Sequence, residues 1–79
     1  MNGGHNFDIT KKDAMIEVDD NTTIYGFVGV NCKGTSDNKW ALLQQTYVGN
    51  RTYDKFPNGS EEHTFVLDRY AEYNFKFRQ

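Results

Sequence analysis

Few side chains in this sequence are of types that could do chemistry, and their spacing is poor for it. His5 and His63 could each serve as a metal ligand or general base. A metal site, however, needs several donors at recognisable spacing, and a base needs a nucleophile beside it. Cys32 is the only cysteine, so neither an intrachain disulfide nor a paired-cysteine zinc spacing can form. As a nucleophile it would need an electropositive setting, and Lys33 is its one basic neighbour in the sequence. Asp19-Asp20-Asn21 lacks the alternating acidic pattern and closing glutamate of a calcium loop and reads as a turn. Asp54, Glu61, Glu62, Asp68 and Glu72 could furnish paired carboxylates, but their spacing selects no pair. The sequence therefore predicts no catalytic residue, no metal site and no cofactor, and the expectation is a protein that is not an enzyme.

The aromatic and basic residues near the C-terminus have a second reading, since stacking aromatics in a basic groove hold single-stranded nucleic acid. Tyr73, Phe75 and Phe77 alternate with Lys76 and Arg78, so a strand would send the aromatics to one face and the charges to the other. With 9 Lys+Arg against 11 Asp+Glu there is no basic excess to neutralise phosphates, and nucleic acid is disfavoured as a partner. Three Asn-x-Ser/Thr triplets begin at Asn21, Asn50 and Asn58, each where turn chemistry is expected anyway. Residues 1–6 show no basic and apolar secretory pattern, and no apolar run is long enough to span a membrane, so synthesis in a reducing cytoplasm is expected.

The elements that would position these groups are strands. Residues 22–30 (TTIYGFVGV) are dense in β-branched and aromatic side chains, with glycines too closely spaced for a helix interior. Residues 14–18 alternate as a half-exposed strand, although Asp8 or Thr10 could cap a short helix just before them. After a loop over residues 31–38 the apolar run 40–48 breaks at Gly49-Asn50, a two-residue hairpin in which glycine takes the positive φ. Phe56-Pro57-Asn58-Gly59-Ser60 is a second turn, followed by strands over residues 63–67 and from Tyr73 onward. The expected fold is all-β, a small antiparallel sandwich or open barrel of about six short strands. Its core is expected to contain Ile24, Val28, Trp40, Leu42, Tyr47, Phe65, Leu67, Tyr73 and Phe75.

A chain of 79 residues makes one domain, here residues 9–79, preceded by a flexible arm over residues 1–8 that orders only against a partner. A core of this size rarely supplies more than about 3–5 kcal/mol unaided, so neighbours that cover edges and aromatics would add stability. Phe7 in the arm and Tyr25, Phe27, Tyr53, Tyr70 and Phe77 are the candidate interface anchors.

From Thr23 onward the order of features resembles that of short bacteriophage virion structural proteins. The likeness runs through Ile24-Tyr25-Gly26, the loop around Gly34-Thr35-Ser36-Asp37, Trp40 opening a strand, the Phe56-Pro57-Asn58-Gly59-Ser60 turn, and Phe65 leading to Asp68-Arg69 and Tyr73. Leu67 stands where that pattern often has tryptophan. The resemblance implies a virion component, made in the host cytoplasm, whose partners are other virion proteins or copies of itself as a homo-oligomer. It carries over no catalytic residue. The competing expectation is a freestanding binding module, such as a phage-encoded inhibitor of a host protein.

Overall fold

The computed structural model describes residues 7–78. Five strands form one antiparallel open sheet in chain order: β1 (Ala14–Asp19), β2 (Thr22–Val28), β3 (Trp40–Val48), β4 (Arg51–Pro57) and β5 (Phe75–Lys76). Two 3-10 segments flank it, Ile9–Lys11 before β1 and Leu67–Glu72 before β5, the second kinked at Arg69. The all-β expectation holds, and the strand count is five.

Turn chemistry sets this meander. Asp19 accepts a hydrogen bond from the Asn21 amide at 2.8 Å and closes the β1–β2 turn. Gly49 has φ 63°, while Asn50 is not among the left-handed residues, so the tight turn between Val48 and Arg51 has the type II′ form that matches the strand twist. Asn58 and Gly59 adopt φ of 54° and 77° and end β4 with a bond from the Ser60 amide to the Pro57 carbonyl.

The sheet is buried on both faces. Residues of even number on β2 and β3 point to one side, where Ile24, Trp40 and Leu42 pack with Phe65 and Leu67. Ala14, Ile16, Cys32, Tyr70, Tyr73 and Phe75 close round that cluster. On the opposite side Tyr25, Phe27, Ala41, Leu43 and Phe56 form a second cluster, against which Phe7 and Ile9 pack. The run Trp-Ala-Leu-Leu at the start of β3 is buried at every position, as a strand covered on both faces requires.

Several expectations change. Val28 is 41% exposed because β1 begins opposite Gly26, so β2 runs past its neighbour there. Tyr47 is 48% exposed, lying on the second face beyond the cluster that Phe7 and Ile9 cover. Residues 63–67 make no strand: Phe65 alone bridges Trp40, exchanging both backbone bonds at 2.9 and 3.0 Å. The chain then turns into the 3-10 segment, which lets Leu67 reach the first cluster. The last strand is two residues long, pairing only with Phe56 and Pro57.

Residues 1–6 of the expected arm, His5 included, lie outside the described residues. Its last two are not an arm awaiting a partner. Phe7 stacks on Phe27 of the same chain, with ring centroids 4.7 Å apart and planes at 11°. Asp8 caps the first 3-10 turn, accepting from the Thr10 amide at 3.0 Å and hydroxyl at 2.6 Å.

Candidate docking surface

The residues expected at an interface fall into three groups. Tyr25 and Phe27 are buried in the second cluster, correcting the expectation that they are exposed, and Phe7 covers Phe27 while meeting Phe56 and His63 at 6.1 Å each. Tyr70 is half-buried against the first cluster. Tyr53 and Phe77 meet edge to face at 6.3 Å, with the Lys55 ammonium 5.1 Å from the Phe77 ring centroid. Phe77 is 56% exposed, and Arg78 beside it pairs with Glu61 at 2.9 Å. Of the six, Phe77, packed edge to face on Tyr53, leaves the most aromatic surface exposed.

The groups weighed for chemistry are dispersed. His63 packs edge-on to Phe7, and Cys32 is half-buried with its Sγ 3.5 Å from the Gly34 carbonyl. Among the described residues no cluster of His, Cys, Asp and Glu is arranged to hold a metal ion. Also among them, no helix is long and apolar enough to cross a membrane.

On the second face a polar line crosses the sheet beyond the aromatic cluster. The Tyr47 hydroxyl donates to Gln45 Oε1 at 3.0 Å, and Gln45 Nε2 donates to Asp54 Oδ1 at 3.3 Å. These bonds satisfy both ends of the buried Gln45 amide. Burial holds the Tyr25 hydroxyl above its ordinary pKa, and Tyr47 and Glu17 add to the shift. Tyr47 on β3 and Met15 on β1 are each exposed on this face.

The backbone adds what the side chains lack. Trp40 gives both its bonds to Phe65, so even-numbered residues of β3 turn their amides toward β4 and odd-numbered ones toward β2. Carried across the registers, this turns the amides and carbonyls of Ala14 and Ile16 toward β2 and those of Met15 and Glu17 outward. The bond from the Val28 amide to Asp13 Oδ2 at 2.9 Å fits the same phase. At the opposite margin β5 lies alongside only Phe56 and Pro57. Among the described residues the sheet thus ends in two open edges.

No protein family, curated protein or solved structure matches this chain.

Proposed function

We propose that the chain is a non-enzymatic assembly subunit, a bacteriophage virion structural protein that docks on neighbouring subunits through its sheet edges and the Tyr53–Phe77 pair. The observation that carries the assembly reading is the open sheet: among the described residues β1 has no strand outside it, and β5 reaches only two residues of β4. Unpaired edges are templates for another chain, and natural monomers of this kind usually cover or blunt them. The virion assignment comes from the resemblance carried by the turn and aromatic order from Thr23 onward. In an assembly, closing the edges across neighbours would complete a sandwich or barrel from sheets of separate subunits.

Two measurements test this reading. Mass spectrometry of purified particles of the encoding phage should detect the chain at stoichiometric level, and its absence from particles would remove the virion assignment. Thermal unfolding across a concentration series should give a melting temperature that rises with concentration. A concentration-independent monomer absent from particles would instead favour the freestanding binding module.

A further inference from the structure

The outer edge of β1 is flanked by opposite charges. Lys11 and Lys12 precede the strand, and Asp19 and Asp20 close it; all four are exposed. Glu17, Asp19 and Asp20, with Thr23, line one open cleft at the acidic end. Such an edge is self-complementary when run antiparallel against itself, because each basic end then meets an acidic end.

We propose that β1 pairs antiparallel with β1 of a second copy about a two-fold axis at Ile16, joining two five-stranded sheets into one. This deepens the assembly reading by naming its first contact, and it rests on that reading.

The geometry selects this register. Met15 and Glu17 turn their backbone groups outward, so an axis at Ile16 sets Met15 opposite Glu17 of the second copy, with both backbone bonds exchanged. The two-fold repeats that exchange on the other side of the axis. Ile16 meets its own counterpart on the face of the first cluster, where it is already half-buried. Met15, 50% exposed, gains cover on the other face. An axis at Glu17 would set two glutamates face to face, and one at Met15 would set Glu17 opposite Asp13 inside the paired segment. The axis at Ile16 leaves its like-charge contact, Asp13 with Asp19, at the bulge beyond the Met15–Glu17 exchange and beside the attractive Lys12–Asp20 pair. A half-step shift would place residues of opposite faces together.

Edges that avoid pairing carry an inward charge, a proline or a bulge along their length. β1 has no proline, and its register shift, between Glu17 and Asp19, lies past the Met15–Glu17 bond exchange.

The test uses the full 79-residue chain, Lys12→Glu and Asp20→Lys, with mass read by light scattering after size exclusion over a dilution series. Asp20 is chosen because Asp19 holds the Asn21 amide. The wild type should be a dimer, and each variant should dissociate at roughly tenfold higher concentration, since two attractive pairs per dimer become repulsive. An equimolar mixture of the two variants should recover wild-type association as a heterodimer. A dimer that neither variant weakens, or variants that do not recover on mixing, would overturn β1 pairing. A free chain that stays monomeric at every concentration yet is present in particles overturns the pairing while leaving the assembly reading intact.

Discussion

The indole of Trp40 lies over Gly26 so closely that a Cβ on residue 26 would stand 2.9 Å from both Cε3 and Cζ3, and 3.1 Å from Leu67 Cδ1. Gly26 is thus the floor of the first core cluster. The same indole is fixed at its other end, where Nε1 donates to the Gly34 carbonyl at 2.9 Å. One side chain ties β2, the 29–39 loop and the second 3-10 segment together.

Gly26→Ala should therefore destabilise the fold by about 1–3 kcal/mol, because the indole and Leu67 must both shift in a packed core. Gly34→Ala, where an added Cβ meets nothing within 4 Å, should leave stability nearly unchanged. Urea unfolding followed by Trp40 emission reads both, since this is the sole tryptophan and it is buried.

Phe7 covers Phe27 by a parallel stack and packs with Ile9 against the second cluster. Phe7→Ala should cost about 1–2 kcal/mol, the loss of a half-buried aromatic contact. Removing residues 1–8 should likewise lower the thermal midpoint of the isolated chain. An unchanged midpoint would show that the stack contributes nothing to stability.

Acid should loosen the first 3-10 turn. The Thr10 hydroxyl bond and then the Thr10 amide bond hold the Asp8 carboxyl below its ordinary value of 3.8, against an opposing effect of desolvation that outweighs the small help from Lys11. A depressed folded pKa means stabilisation present above 3.8 and lost as pH falls through the lower folded value. Carboxyl titration by NMR should show Asp8 titrating below 3.8, together with movement of the Thr10 amide resonance. In Asp8→Ala that acid-linked amide shift should vanish.

Alkali should act at the opposite face. Tyr25 is raised above 10.0, first by burial and then by Tyr47 and Glu17, so its neutral form is favoured in the folded chain. That contribution is complete below 10.0 and is lost as pH rises toward the higher folded value. Tyr25→Phe should show a shallower loss of thermal stability between neutral pH and alkaline conditions. Equal slopes for the variant and the wild type would rule Tyr25 out as a source of the dependence.

The strand from Trp40 to Val48 and the Gly49-Asn50 hairpin were legible because both are written locally, in residues that are chain neighbours. β-branched and aromatic side chains favour the pleated backbone, and glycine supplies the left-handed position the tight turn needs. The strand over residues 14–18 was legible from its alternation for the same reason, and the structure carries it one residue further, to Asp19. Of the expected interface residues, Phe77 is exposed, whereas Tyr25 and Phe27 are buried.

What covers each face was not local. Tyr25 and Phe27 alternate with Ile24 and Gly26 as an exposed face would, and only the return of Phe7 and Ile9 over them makes that side a core. Val28 and Tyr47 have the same residue character as their buried neighbours but lie where the covering segments stop. The sequence by itself determined β1 to β4, their turns and the charges at the ends of β1, because backbone preference and charge depend on residue type and near neighbours. The tertiary structure alone decided which face is sealed and which edge is open, because burial and strand pairing depend on segments distant in the chain.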